Sequence, residues 1–181
     1  MARCCGSSRP NNFPRGARIS LISEWTTLLA VQAGASATLT GLVFVAFSIN
    51  QNKIMDFPGL PGRAMESLLQ LLEVFLISTV ALIPRQPERI LAIEILAIGT
   101  VLWGCQIIGQ VRYLKLRAGH PWSWFWYRAI LGLLAAVPFE VAGIELLLGT
   151  PGALYWLAPG FVFSFVAAIV SAWVLLVEIL R

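Results

Sequence analysis

The chain has 181 residues, of which 58% are hydrophobic and 12% charged, and its net charge is +4. Soluble domains carry about 25% charged and about 45–50% apolar residues, so this composition excludes an ordinary water-soluble domain. The apolar excess lies in runs of about twenty residues, which is typical of transmembrane helices. The basic residues lie between these runs or at their ends. Membrane orientation and lipid headgroups therefore explain the charge better than nucleic acid, and we expect a lipid bilayer as the partner.

Residues 1–20 are rich in Arg, Ser, Asn and Pro, and they predict a basic disordered tail ahead of a single transmembrane domain over 21–181. The first span is predicted over 24–49. Small residues recur along one stripe of this helix, and such stripes let helices pack closely in lipid. The predicted packing residues of the first helix are Ala30, Gly34, Ala37 and Gly41.

Two Pro-Gly-type breaks between residues 51 and 63 predict a loop with tight turns. The second span is predicted over 64–83 and ends at Pro84. A short polar turn then leads to the third span, predicted over 90–110.

The segment before the fourth span is basic and aromatic. Trp and Tyr favour the headgroup level of a bilayer, so this segment predicts membrane-interface anchors. The fourth span is predicted over 125–148, and Pro138 near its centre is expected to kink the helix. A tight turn follows at 149–152, and the fifth span is predicted over 154–179. The predicted anchors are Trp122, Trp124, Trp126 and Tyr127, and the small-residue stripe of the fifth helix contains Gly160, Ser164 and Ala168.

These elements predict an all-α polytopic integral membrane protein of about five transmembrane helices. We expect homo-oligomers that pack through the stripe of the first or the fifth helix. The membrane side that holds the 51–63 loop is called side A here, and the opposite side is side B. Side A carries more Lys and Arg than side B once the tail is left out, so the positive-inside rule predicts side A and the C-terminus in the cytoplasm.

Apart from Glu24 and Glu178 at the extreme ends of the first and fifth spans, five of the nine acidic residues fall inside predicted spans, where an ionised carboxylate is costly and usually faces the protein interior. Glu66, Gln70 and Glu73 are spaced i, i+4, i+7 and share one face of the second helix, with Glu73 near the midplane. Depth alone predicts a ladder of carboxylates across the bilayer. From side A to side B, its order is Glu66, then Glu73 and Glu140, then Glu94 and Glu145.

A ladder of this kind predicts passage of a small cation or a proton. Neighbouring buried carboxyls can exchange a proton, and with Gln70 and Gln106 as neutral oxygen ligands they can replace part of the water around a cation. Glu73 would be the central site and Glu140 its partner.

A second interpretation stays open, in which each carboxyl only links helices. Glu66 would then pair with Arg63, and Glu94 with Arg89, each from a nearby helix end. The protein would in that case be an accessory or scaffold protein that stabilises or regulates another membrane complex.

Catalysis has little support in the sequence. The one aspartate, Asp56, lies in a loop, and the one histidine, His120, lacks a matching nucleophile motif. The cysteines form no CxxC pair. We therefore expect no enzyme, no catalytic residue, no metal site and no cofactor.

Three segments of the first two helices are similar to known sequences: GASATLTGLVFVAFSIN at 34–50, FPGLPGR at 57–63 and ESLL at 66–69. The first two helices, about residues 24–69, resemble a group of small uncharacterised bacterial multi-pass membrane proteins. The resemblance implies the bacterial cytoplasmic (inner) membrane and carries no functional residues over to this chain.

Overall fold

The computed structural model describes residues 15–56, 60–116 and 122–180, and within these ranges the chain is helical apart from short turns. The all-α prediction is confirmed. A 3₁₀-helix at Ala153–Trp156 precedes the last helix. The α-helices are α1 (Arg15–Ile49), α2 (Gln51–Asp56), α3 (Leu60–Ala81), α4 (Glu88–Leu116), α5 (Trp122–Leu148) and α6 (Leu157–Leu180).

Five segments of the described chain are long and apolar enough to cross a membrane, as predicted. Large apolar side chains such as Phe44, Ile108 and Trp173 are exposed on their outer faces, which suits contact with lipid. The spans are Trp25–Ile49, Leu60–Ala81, Glu88–Arg112, Trp126–Leu148 and Ala153–Val177.

Several helix boundaries differ from the predicted ones. Helix α1 begins at Arg15, so residues 15–20 of the predicted tail are helical, while residues 1–14 lie outside the described part of the chain. Helix α2 occupies the first half of the predicted 51–63 loop. Helix α3 begins at Leu60 with Pro61 in its first turn, where a missing N–H removes no helical hydrogen bond.

Helix α3 is the centre of the bundle. It packs against α1, α4 and α6, and the contacts of α4 with α5 and of α5 with α6 complete a four-helix bundle. In the most apolar 18-residue stretch of α3, 56% is buried, compared with 11% in the corresponding stretch of α1. Helices α3 to α6 therefore build the interior, and α1 lies at its periphery.

The main apolar core fills the half of the bundle toward side B. It combines the beginning of α1, the end of α3, the beginning of α4, the end of α5 and the beginning of α6. The rings of Phe139 and Phe161 lie at its centre, with their centroids 5.5 Å apart. The buried members are Leu29, Val74, Ile77, Ala81, Leu91, Ile95, Phe139, Ala142, Leu157 and Phe161.

The predicted turn at 149–152 closes α5 at side B. Gly149 has a φ of 71°, and the Thr150 N–H donates to the Glu145 carbonyl at 3.0 Å, the pattern of a Schellman cap. Nearby, the rings of Trp25 and Tyr155 meet edge to face at 5.0 Å. These contacts tie the beginning of α1 to the segment between α5 and α6.

The two small-residue stripes have different surroundings. In α6, Gly160, Ser164 and Ala168 are buried, and a Cβ at Gly160 would lie 2.6 Å from the Phe139 ring. This stripe therefore packs within the chain. In α1 the whole stripe is exposed, and among the described residues nothing lies within 4 Å of a Cβ placed at Gly34 or Gly41. The exposed stripe consists of Ala30, Gly34, Ala37 and Gly41.

Candidate functional site in the membrane interior

The polar face predicted for the second span is buried in the bundle. Glu66, Gln70 and Glu73 are 7%, 4% and 1% exposed, and all three belong to α3. Because α3 is surrounded by other helices, a polar stripe on it must face protein. Glu73 lies near the middle of its span, as predicted.

Glu140 of α5 lies beside Glu73, and a glycine of α4 makes the approach possible. A Cβ at Gly99 would lie 2.7 Å from Oε1 of Glu140 and 4.0 Å from Oε1 of Glu73. The hydroxyl of Thr100, the next residue of α4, donates to Glu140 Oε1 at 3.1 Å. Three helices thus meet near the midplane around two carboxyl groups, called the carboxyl pair below.

The two members of the carboxyl pair differ in their hydrogen bonds. Glu140 accepts a hydrogen bond from Thr100, whereas Oε1 of Glu73 has no hydrogen-bond partner in the described part of the chain. A buried carboxylate beside a second one is unfavourable in a low-dielectric interior. A positive charge close to these oxygens would offset this cost.

A cavity of about 320 Å³ lies between the side A ends of α3, α4, α5 and α6. Glu66 borders it and forms a bidentate ion pair with Arg128 of α5. The Arg128 Nη2 lies 2.6 Å from Glu66 Oε1, and the Arg128 Nε donates to Glu66 Oε2 at 3.1 Å. The sequence pointed to Arg63 as the partner of Glu66, and Arg63 also borders the cavity. The further lining residues are Gln70, Gln110, Tyr127, Leu131, Val170, Ser171 and Val174.

Helix α4 carries polar groups from this cavity toward the carboxyl pair. Gln110 borders the cavity, Gln106 is one turn deeper, and both are only 4% exposed. Gly99 lies on the same face of α4, since eleven residues are close to three helical turns. The Gln106 Oε1 lies 3.4 Å from a Cβ placed at Gly132 of α5, so this face of α4 points at α5.

The carboxylates toward side B stay apart from the pair. Glu94 accepts a hydrogen bond from the side-chain amide of Gln86, whereas the sequence pointed to Arg89. Glu145 lies on a different face of α5 from Glu140, since five residues rotate a helix by about 140° beyond one turn. The structure therefore brings Glu73 and Glu140 together near the middle of the bundle and leaves Glu94 and Glu145 apart from them.

The predicted interface anchors lie at the beginning of α5. Trp126 and Tyr127 are exposed there, and Tyr127 also borders the cavity. The side chains of Trp122 and Trp124 and all of His120 lie outside the described part of the chain. Among the described residues, no three His, Cys, Asp or Glu side chains are grouped as metal ligands would be.

Comparisons with protein families, with curated proteins and with solved structures found no match. The class of the protein follows from its fold and composition. It is a multi-pass α-helical membrane protein with polar groups in its interior.

Proposed function

We propose that this protein moves a proton or a small cation across the membrane, with Glu73 as the central site and Glu140 as its partner. The observation that carries the proposal is the meeting of these two carboxyls near the midplane around Gly99. Carboxyl groups are rare at this depth and usually mark ion or proton routes when they face a protein interior.

The position of the main apolar core toward side B favours a transporter over an open channel. The cavity lies at the side A ends of the helices and the buried Gln106 lies between it and the level of the carboxyl pair, while the main apolar core lies toward side B. An ion held by the pair can leave toward side B only if this core opens, because an unpaired charge in apolar packing is costly.

The test is cation and proton flux in liposomes that contain the purified full-length protein. We expect Glu73→Gln and Glu140→Gln to abolish flux, because each removes one ionisable carboxyl with little change of shape. Glu145→Gln is the matched control, since it makes the same change on α5 away from the pair, and it should retain flux. Undiminished flux from folded Glu73→Gln, or no flux from the wild type, would reject the proposal.

The uncovered stripe of α1 favours association with a second transmembrane helix, and we propose homo-oligomers that pack through it. In a background without the native cysteines, Ala37→Cys should give disulfide-linked dimers in native membranes, whereas Ala97→Cys on the exposed face of α4 should not. Monomer alone with Ala37→Cys would contradict this proposal.

An accessory or scaffold role is the second candidate, since the same stripe could contact a different membrane protein. A stable partner recovered from native membranes, together with a cellular role that is unaffected by Glu73→Gln, would favour it. For either function we propose the bacterial cytoplasmic membrane with side A and the C-terminus in the cytoplasm, no nucleic-acid partner and no enzymatic activity.

A further inference from the structure

The Glu140 carboxyl lies at the outer surface of the bundle, on the seam between α4 and α5. Glu140 is half-buried, whereas Glu73, the other member of the carboxyl pair, is only 1% exposed. On α5, the side chains one turn to either side of Glu140, Val137 and Ile144, are exposed. Thr100 of α4 is exposed as well, and its hydroxyl donates to Glu140 Oε1 at the surface of the bundle. This carboxyl is therefore accessible from the bilayer, laterally between two helices.

Among the described residues of α4 and α5, no basic side chain lies near the level of Glu140. Arg128 is twelve residues earlier in the α5 span, which corresponds to about 18 Å along the helix. Arg89 and Arg112 lie at the two ends of the α4 span. An ionised carboxylate that faces hydrocarbon is unfavourable without a matching positive charge. The seam therefore suits a ligand that brings this charge.

An indole side chain lies on the same face of α4. Trp103 follows Gly99, the residue that faces Glu140, by one helical turn, and it is exposed. Because side chains of a helix lean toward its N-terminus, Trp103 covers the turn that holds Gly99 and Thr100. Aromatic faces attract organic cations, and the face of Trp does so most strongly. A carboxyl, a hydroxyl and an indole thus share one stretch of the seam.

Two other occupants fit these residues less well. A metal ion binds several oxygen ligands at once, and among the described residues no three His, Cys, Asp or Glu side chains are grouped in this way. A second transmembrane helix packs closely against small residues, whereas the exposed side chains beside Glu140 are the large Trp103, Val137 and Ile144. An organic cation needs only one carboxylate, and these apolar side chains match its body.

We propose that the seam between α4 and α5 binds a lipophilic organic cation, a quaternary ammonium, a phosphonium or a protonated amine, that reaches it from the bilayer. The Glu140 carboxylate lies against the positive charge, the Trp103 ring contacts the same charge, and Val137 and Ile144 contact the apolar body. This inference deepens the proposed function, on which it rests for the role of Glu140 in ion passage, by naming the class of cation.

The test is equilibrium dialysis of two radiolabelled cations, tetraphenylphosphonium and the slimmer benzyltrimethylammonium, against the purified full-length protein in lipid nanodiscs, with binding to empty nanodiscs subtracted. We expect saturable binding of at least one of them. Neopentylbenzene has the shape of benzyltrimethylammonium with carbon in place of the charged nitrogen, and it should not displace the bound cation. Excess Na⁺ or K⁺ should not displace it either.

Variants at the seam test which residues hold the cation. Glu140→Gln should weaken binding by about tenfold or more, because it removes the charge from a site of low dielectric constant. Glu145→Gln, the same change elsewhere on α5, should bind as the wild type does. Trp103→Leu should weaken binding by about three- to tenfold, and Trp103→Phe by less. Trp173→Leu removes an exposed indole from α6 and is the matched control. Gel filtration and thermal unfolding establish that each variant is folded.

Three results would overturn the inference: folded wild type binds neither cation, neopentylbenzene or Na⁺ displaces the bound cation, or Glu140→Gln binds as tightly as the wild type. An absence of cation binding together with disulfide-linked dimers of Val137→Cys, in a background without the native cysteines, would assign the seam to a second copy of the chain and also reject the proposal.

The liposome flux assay separates this inference from the proposed function. Proton or metal-ion flux that needs Glu73 and Glu140, without binding of either organic cation, would reject the inference and leave the proposed function in place. Binding that needs Glu140, without any flux, would reject the proposed function and support a binding site at the seam.

Discussion

Arg128 and Glu66 join α5 to α3 at the mouth of the polar interior. Their side chains are 16% and 9% exposed, so both charges are largely removed from water. Removing one partner of such a pair leaves the other charge buried and unpaired, which usually costs more than removing both.

We expect Arg128→Gln to destabilise the protein by about 3 kcal/mol, the size typical for a broken buried ion pair. The double variant Arg128→Gln with Glu66→Gln should recover part of this loss, since no charge is left unpaired. Thermal unfolding in detergent measures both effects, and Arg112→Gln at an exposed position of α4 is the control. Equal stability of the single and double variants would show that the two charges do not depend on each other.

Gly99 is the residue that lets the carboxyl pair form, and it provides a test that leaves both carboxyls in place. In Gly99→Ala the new Cβ would lie 2.7 Å from Glu140 Oε1, so the carboxyl group must move. Because the end of a glutamate side chain is flexible, the loss of stability should be small, below about 1 kcal/mol, and partly offset by the helix preference for Ala.

Ion flux should nevertheless fall in Gly99→Ala, because the distance between the two carboxyls changes. Gly104→Ala is the control in the same helix, where nothing in the described chain lies within 4 Å of the added Cβ. Equal flux from these two variants would remove the carboxyl pair from the proposed route.

At the scale of helices, α1 and α6 carry similar stripes of small residues with different packing. The α6 stripe is covered by its own chain, and Gly160 receives the edge of the Phe139 ring. The α1 stripe is exposed, because α1 contacts α3 through a different face that includes the buried Leu29 and Ser36.

Gly160→Ala should therefore destabilise the protein by about 1–3 kcal/mol, the usual cost of overpacking a core. Gly34→Ala should leave the stability of the monomer unchanged or slightly raised, since it gains helix preference without a clash. Thermal unfolding at low protein concentration in detergent compares the two. A Gly160→Ala variant as stable as the wild type would show that the Phe139 ring can move aside at no cost.

At the scale of the whole molecule, the cavity lies toward side A and the main apolar core lies toward side B. Water-soluble thiol reagents can report this division, because they react with a cysteine only where water reaches it. In a background without the native cysteines, Ser171→Cys at the cavity should react, and Ile77→Cys in the apolar core should not.

The same reagents test the orientation in the membrane. If side A is cytoplasmic, Ser171→Cys should react in inside-out vesicles and be protected in intact cells from reagents that do not cross membranes. Reaction in intact cells alone would place side A outside. If Ile77→Cys reacted as fast as Ser171→Cys, the core toward side B would be open to water.

The sequence by itself determined the fold class and the five spans, and it predicted the level of each carboxylate along its helix. Hydropathy and helical spacing are local properties, and the rise of 1.5 Å per residue converts position into depth. This is why Glu73 and Glu140 are at similar depths in both the prediction and the structure.

Only the tertiary structure decided which groups at one depth are neighbours. A transmembrane helix can rotate about its axis and exchange its position in the bundle without any change in hydropathy. The pairing of Glu66 with Arg128, the gap at Gly99 and the separation of Glu94 and Glu145 from the carboxyl pair all depend on these choices. Side-chain packing between helices determines the rotation and position of each helix, through contacts such as that of Phe139 with Gly160. No local sequence pattern specifies this packing.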